Sequence, residues 1–450
     1  MTFNNLFTLF IFIPASVLLY YLLPKILKPV ALFLCSLVFY AWGGLWNLLI
    51  LLLVTACNYF TACELADCKE RGNEGAARVT LLFTVALNVG VLLLFKYTSL
   101  TFPLGISFYM FSALSYLLDI WYGRAQAEKN PFTFLLYMTF FPKIISGPIV
   151  QFHDFQEQVL NRPFRKKHFG AGLQLFLFGL YKKVLLADRL GAAFGTVYAQ
   201  PQMAGATAWL GMILYSLQLY FDFSGYSDMA IGLAKMFGFQ IDENFAHPYL
   251  SRNVSEFWRR WHISLGAWFR TYVYIPLGGN RRGTALQIRN LMIVWILTGI
   301  WHGNTMNYVF WGIYHGLLVL LDKFVIRDRL ERLPSAAGIL LTDLAAFIGW
   351  VFFFNPTLGS TLGYFGKMLG GDGVGFWNGM TTFYLKENLL LLLIAAVCCG
   401  PWLLQFHEAS VYRRGGVRMV LSAGIQTVLV LLCVMMLVGA TYSTFLYAQF

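Results

Sequence analysis

The 450-residue chain is 58% hydrophobic and 18% aromatic but only 12% charged, with a formal net charge of +12. Soluble chains average about 45–50% apolar and about 25% charged residues, so a soluble enzyme, a disordered chain and a fibrous repeat are all excluded. What remains is an all-α polytopic membrane protein, whose excess Lys and Arg belong at the cytoplasmic face rather than on nucleic acid.

Met1–Asn5 carries no basic residue and no small-residue cleavage site follows, so the run 6–23 reads as a retained span, not a signal peptide. Further apolar runs lie at 30–42 with 46–62 close behind, 80–95, 100–121, 132–150, 204–221, 288–301, 306–321, 338–354, 387–404 and 419–440. That is about a dozen segments by the length that a helix needs to cross the hydrocarbon core. The shorter run 169–181 is expected to be re-entrant or interfacial. Pro103-Leu104-Gly105 and Pro142 to Gly147-Pro148 interrupt two others, and such irregular backbone is tolerated at membrane depth only inside protein. No hydrophilic domain and no internal repeat appears. A single membrane domain over 1–450 is expected, with N-terminal spans to 100, a core over 101–325 and C-terminal spans from 326. The seven cysteines show neither C-x-x-C nor a nearby histidine at ligand spacing, so free thiols are expected and a metal site is not.

Lys25 and Lys28 follow the first span and put the N-terminus away from the cytoplasm. Two later segments are strongly basic. Seven cations and one acid lie within 162–189, including Arg162, Arg165, Lys182 and Lys183. Seven cations and one acid also lie within 252–289, including Arg259, Arg281 and Arg282. If 169–181 is re-entrant, both halves of the first cluster face one side. Topology accounts for such charges; a grip on an anionic cytoplasmic substrate is a further role open to them.

The most unusual stretch is 244–283, NFAHPYLSRNVSEFWRRWHISLGAWFRTYVYIPLGGNRRG. Read as one helix from about Ser255, it aligns Trp258, Trp261, Leu265 and Trp268 on a stripe, with Arg259 and Arg270 on another side and His262 between. Pro248 and Asn253-Val254-Ser255 suit a turn and N-terminal cap, and Glu256 an i,i+4 pair with Arg260. A Trp-rich basic helix is expected at the membrane interface, which explains all of it except the histidine. The second constellation, Thr298-Gly299-Ile300-Trp301-His302-Gly303, ends an apolar run. An ionisable group there is a functional hypothesis by default, and imidazole suits general-base work. Gly299 and Gly303 would let a substrate approach the ring. A core histidine bonded between helices is the other reading, and spacing alone does not choose. In the third cluster, 220–228, Asp222 and Asp228 need cationic partners; Arg259, Arg260 and His262 are the candidates. His315, thirteen residues beyond His302, is read as structural. Walker loops, serine elbows and H-E-x-x-H are absent.

The blocks GISFYMFSALSYLLDIWYG (105–123), MTFFPKIISGPIVQF (138–152), LYFDFSGYSDMAIGLAKMFGF (219–239), FWRRWHISLGAWFRTYVYIPLGGN (257–280) and LTGIWHG (297–303) together resemble the membrane-bound O-acyltransferase family. The likeness is nearest to its bacterial polysaccharide branch, typified by the subunit that acetylates alginate; IPLGGN and the terminal FLYAQF point there. The D-alanyl and peptidoglycan transferases are similar but less close. The resemblance implies about a dozen transmembrane or re-entrant helices ringed around a central funnel in a bacterial inner membrane. It implies His302 as catalytic base and His262 as the second, supporting histidine; His262, or a nearby Asn or Tyr, is then expected to orient the donor or donate to the oxyanion. Trp258, Arg259, Trp261, Asp222, Tyr226 and Trp301 are expected to support the site. Acetyl-CoA is the implied acyl donor, with Arg281, Arg282, Lys182 and Lys183 as candidate contacts to its phosphates, and no resident cofactor or metal is expected. The implied partners are membrane lipid, an extracytoplasmic SGNH-type acetyltransferase and a polysaccharide as final acceptor, with no nucleic acid. The alternatives are D-alanyl or peptidoglycan acyl transfer, or a non-catalytic acyl or polymer transporter. Thr271, where relatives carry Asp, and Asn304-Thr305-Met306-Asn307 after WHG depart from the family pattern.

Overall fold

The computed structural model describes residues 2–161, 166–402, 416–439 and 445–446, so Arg162, Arg165 and most of the terminal FLYAQF lie outside the described residues. Among the described residues the only β pairing is a single bridge between Phe245 and Trp261. The helices that position the site are, in chain order, α1 (Thr8–Leu22), α2 (Lys28–Ala41), α3 (Leu45–Glu70), α4 (Glu74–Tyr97), α5 (Ile106–Trp121), α6 (Pro131–Thr139), α7 (Phe152–Asn161), α8 (Lys167–Tyr198) and α9 (Gly205–Met236). They continue with α10 (Val254–Arg260), α11 (Ile263–Phe269), α12 (Thr284–His302), α13 (Met306–Glu331), α14 (Ser335–Phe354), α15 (Leu358–Met368), α16 (Gly379–Cys398) and α17 (Gly416–Gly439). Among the described residues, eight helices are long and apolar enough to cross a membrane, and α1 and α5 are shorter apolar helices. The chain is a multi-pass membrane protein.

The centre of the fold is the antiparallel pair α8 and α9, each 32 residues long. Their backbones touch. A Cβ at Gly172 would lie 2.6 Å from the Gly232 carbonyl oxygen, and one at Gly179 would lie 2.4 Å from that of Gly225. Small residues at a seam allow such close helix packing in membranes. The same seam carries its charges in pairs: Lys182 with Asp228 at 2.6 Å, and Lys183 with Asp222 at 2.6 Å and Asp188 at 2.8 Å.

Two expectations are corrected here. The run 169–181 is not a short re-entrant piece but the first half of α8, which continues through a π-helical stretch at Lys182–Ala187. Its flanking charges resemble a loop only until their partners on α9 are known, because a neutralised pair can stay at depth. At 1.5 Å per residue, Lys182 sits about 22 Å along the helix from Lys167, so these two lysines of the basic cluster do not share a face. The partners of Asp222 and Asp228 are also lysines of α8, not Arg259, Arg260 or His262. Leu446 N–H donates to the second Asp222 oxygen at 2.8 Å.

The Pro and Gly interruptions behave as their chemistry asks. Only Pro131–Thr139 of the run 132–150 is helical; residues 140–148 turn inside the protein and are buried throughout. Gly105, in the left-handed region at φ 74°, packs against this turn so closely that a Cβ would meet the Ile144 carbonyl oxygen at 2.2 Å. Phe141 N–H donates to Ser36 Oγ at 3.1 Å, and Tyr40 Oη donates to the Leu104 carbonyl at 2.5 Å. Outside the spans, Asp372 accepts from Met203 N–H at 2.8 Å and pairs with Lys367 at 3.2 Å, which holds its carboxyl below the usual carboxylate range.

Candidate active site

The segment 254–269 does not form the single helix that its periodicity suggests. The cap expected within 253–255 is Asn253, its side chain accepting from Glu256 N–H at 2.8 Å, and Glu256 pairs with Arg260 at 2.6 Å. The helix then stops. Trp261 is extended and bridges to Phe245, His262 takes the left-handed conformation (φ 47°, ψ 57°), and α11 begins at Ile263. The competing interaction is the returning chain 244–246: Ala246 N–H donates to the Arg260 carbonyl and Ile263 N–H to the Asn244 carbonyl, both at 3.0 Å. A β-type pairing thus replaces helical bonds at the one point where His262 turns inward. The Trp stripe is consequently not laid on a membrane interface. Trp261 and Trp268 are buried inside the protein, the Trp268 indole N–H donating to the Phe111 carbonyl at 3.0 Å, while Arg259 and Arg270 are exposed.

Asn244 is the brace of this turn. Its Oδ1 accepts from the Ser264 backbone N–H at 3.1 Å and from Ser264 Oγ at 2.9 Å, and lies 3.2 Å from His262 Nδ1. A backbone N–H only donates, so the amide orientation is fixed, and His262 Nδ1 must carry its proton toward Asn244. In the neutral ring Nε2 is then the lone-pair nitrogen. In that tautomer neutral His262 offers Nε2 to the cavity as a hydrogen-bond acceptor.

His302 is the last residue of α12, and the chain leaves it extended at Gly303 (φ −175°, ψ 174°). Gly299 and Gly303 do not clear space for a substrate. They admit the next helix: a Cβ at Gly299 would lie 2.4 Å from the Tyr308 carbonyl oxygen, and one at Gly303 would lie 2.1 Å from the Tyr308 ring. Gly312 of α13 repays the contact, 2.4 Å from the Trp295 carbonyl by the same measure. The α12–α13 hairpin thus closes backbone on backbone.

This architecture brings the two histidines, forty residues apart in sequence, to one cavity of about 100 Å³. Trp258, Trp261, Trp295, Thr298 and Trp311 share its lining. Both imidazoles are 3% exposed. The Trp311 ring lies edge-on to His302 at 4.8 Å, and Phe223 edge-on to His262 at 4.7 Å. The indole N–H groups of Trp258 and Trp311 are buried and have no hydrogen-bond partner among the described residues. A larger cleft of about 910 Å³ passes behind α11 at Ser264 and Trp268, but acidic side chains, including Asp154 and Asp242, stand on its walls and neither histidine lines it.

The other expected site residues are distributed as follows. Trp258 and Trp261 line the cavity, and the Trp301 ring lies against His302 at 4.6 Å. Arg259 is on the outer face of α10. Asp222 is sequestered by Lys183, and Tyr226 packs on Phe3 at 5.1 Å and Phe445 at 4.8 Å, in a different part of the core. Lys183 is 2% exposed and, like Lys182, has its ammonium on α9 carboxylates, so these two do not present a free cation to a phosphate. Arg281 and Arg282 are exposed in the loop before α12. His315 is buried behind Trp311, 5.0 Å from its ring, and does not line the cavity. Sequence reasoning missed Asn244 and Trp311. The first opened the singled-out segment without being noticed; the second sits four residues before His315, one helical turn away.

The fold is thus a helical multi-pass membrane protein in which two buried histidines line one small, partly open cavity. The model of the membrane-bound O-acyltransferase family matches residues 32–329, and the chain belongs to that family: it is an acyltransferase. It is 39% identical over 359 residues to the probable alginate O-acetylase AlgI of Pseudomonas fluorescens, covering 78% of this chain and 72% of that protein. It is 33% identical over 431 residues to the peptidoglycan O-acetyltransferase of Helicobacter pylori, covering 83% and 80%. A teichoic acid D-alanyltransferase of Streptococcus thermophilus is 31% identical over 289 residues, covering 56% and 68%.

Proposed function

We propose that the protein transfers an acetyl group from acetyl-CoA, entering from the cytoplasm, toward O-acetylation of an extracytoplasmic, alginate-like polysaccharide, with His302 as general base in a bacterial inner membrane. The observation that carries this reading is the convergence of His262 and His302 on one small cavity beside two unpartnered indole donors. The acceptor hydroxyl gives its proton to His302 as its oxygen attacks the thioester carbonyl. The tetrahedral oxyanion collapses, the C–S bond breaks, and the proton passes to the departing thiolate. His262, acting as a hydrogen-bond acceptor at Nε2, orients the hydroxyl. The Trp258 and Trp311 indole N–H groups are the donors suited to the oxyanion, and donors fixed in a dry site are worth far more there than in water.

The cavity of about 100 Å³ beside the histidines has room for a two-carbon acyl group. A D-alanyl group brings an ammonium, and among the described lining residues there is no carboxylate to receive it; this favours acetyl over D-alanyl transfer. Arg281 and Arg282 remain the candidate contacts for the donor's phosphates. Three observations support cytoplasmic entry at their end of the molecule. The ends of α4 and α12 are bonded together through Lys96, the two Arg precede the opposite end of α12, and Lys69 and Arg71 lie beside the opposite end of α4. An extracytoplasmic SGNH-type partner then completes delivery to the polymer.

The test is transfer of label from acetyl-CoA by the reconstituted protein, with partner and polymer supplied. His302→Ala, at normal membrane abundance, is expected to lose about 10²–10⁴-fold in rate. Unchanged transfer by that variant sinks the assignment of the base. No transfer or thioester cleavage by the wild type would instead favour a transporter.

A further inference from the structure

We infer that Lys96 and Tyr97, at the C-terminal end of α4, are positioning residues for His302. The inference rests on the reading of His302 as the general base. A helix leaves its last four carbonyls without intrahelical partners, and His302 is the final residue of α12, just where the chain turns away. A base in that place inherits the fraying of the helix end unless something else holds the turn.

The residues that hold it come from α4, some two hundred positions earlier in the sequence. Lys96 Nζ donates to the Trp301 carbonyl, the peptide unit immediately before His302. Tyr97 Oη lies 2.9 Å from the Ile300 carbonyl and 3.1 Å from that of Gly303, on either side of the histidine. Three carbonyls around one residue are thus bridged to two adjacent side chains. The ammonium also stands 5.4 Å from the centre of the Trp301 ring, so ring and backbone of the residue beside His302 are held by one group. A cation belongs at the negative end of the α12 dipole.

The clamp is itself anchored. Asn88 on α4 and Asn58 on α3 exchange two side-chain hydrogen bonds at 2.8 and 3.0 Å, which fix the register of α4 two turns before Lys96. An ammonium on an apolar helix is costly, and near a helix end it would ordinarily reach outward to water. Lys96 instead turns inward to a carbonyl of the helix that bears His302.

The test uses the full-length protein, reconstituted with its partner, and compares Lys96→Met, Lys96→Arg and Tyr97→Phe by kcat and by KM for acetyl-CoA. Displacement of a reacting group by about 1 Å costs on the order of 10²-fold, so Lys96→Met is expected to lower kcat by about that factor. Its KM for acetyl-CoA should stay within about twofold, since no ground-state contact to the donor is lost. Lys96→Arg, which can still donate to the Trp301 carbonyl, should recover most of kcat, and Tyr97→Phe should lose about tenfold or less, having removed one hydroxyl. Wild-type kcat in Lys96→Met while His302→Ala is inactive overturns the clamp and leaves the base assignment standing. Wild-type turnover in His302→Ala overturns both. If Lys96→Met loses abundance and thermal stability, and Lys96→Arg restores stability without kcat, Lys96 is structural only and the inference fails.

Discussion

The two segments that carry the histidines solve opposite problems. His262 sits where helical structure is interrupted: a left-handed residue between two seven-residue helices, held by a returning strand-like stretch and by the Asn244 amide. His302 sits at the end of a regular 19-residue helix, held by glycine-mediated contact with α13 and by side chains of α4. In the first, polar bonds compensate an irregular backbone from within the same stretch of chain. In the second, the backbone is regular and its exposed end is completed from elsewhere in the fold. An intramembrane site needs both solutions, because no water is available to satisfy either kind of loose end.

The largest expected effect comes from breaking the His302 side at its packing. Gly312→Leu places side-chain carbon against the Trp295 carbonyl, where a Cβ alone would already approach to 2.4 Å. Backbone cannot yield as a flexible side chain can, and overpacking costs about 1–3 kcal/mol or more. Folded, monodisperse protein recovered in detergent should fall sharply, whereas Gly90→Ala on α4, with open space around it, should leave recovery unchanged. Breaking the His262 side at its brace is milder for the fold and harsher for the chemistry. Asn244→Ala removes the acceptor that fixes the His262 tautomer and should lower turnover by about 10–100-fold. Asn244→Asp keeps an acceptor for Ser264 and for His262 Nδ1, and should retain clearly more activity than Ala when rates are normalised to folded protein. Equal rates in the two variants would mean that the tautomer does not matter.

These contrasts also explain what could be read from the sequence. The apolar runs located the spans because length and hydropathy are what a bilayer demands. Both histidines were legible because ionisable groups amid apolar and aromatic residues are conspicuous. The break at His262 was hidden: the 3–4 residue spacing of Trp258, Trp261 and Leu265 is genuinely helical, and only pairing with residues 244–246 overrides it. The continuity of α8 was hidden for the same kind of reason, since the carboxylates that neutralise Lys182 and Lys183 lie some forty residues away on α9. Gly299 and Gly303 signalled a close approach correctly, but sequence could not say that Tyr308 was the visitor. Lys96 carried no signal at all, because a lysine ending an apolar helix is what topology alone would place there.

The smallest expected effect is also the sharpest comparison, because the same pair of substitutions should change sign between the two sites. At His262 the left-handed backbone disfavours any residue with a Cβ by about 1–2 kcal/mol, and Asn is among the few non-glycine residues that visit it readily. His262→Asn should therefore unfold at a higher temperature than His262→Ala, although both lose the imidazole packed against Phe223. At His302 the residue is helical, and Ala exceeds Asn in helix propensity by about 0.5–0.7 kcal/mol, so His302→Ala should be the more stable member of its pair. All four variants are expected to be catalytically impaired, which makes thermal unfolding in one detergent the informative measurement. If Asn and Ala rank the same way at both positions, the left-handed turn at His262 is not a constraint on the folded protein. The contrast between a backbone braced from within and one capped from outside would then lose its physical basis at the first of the two sites.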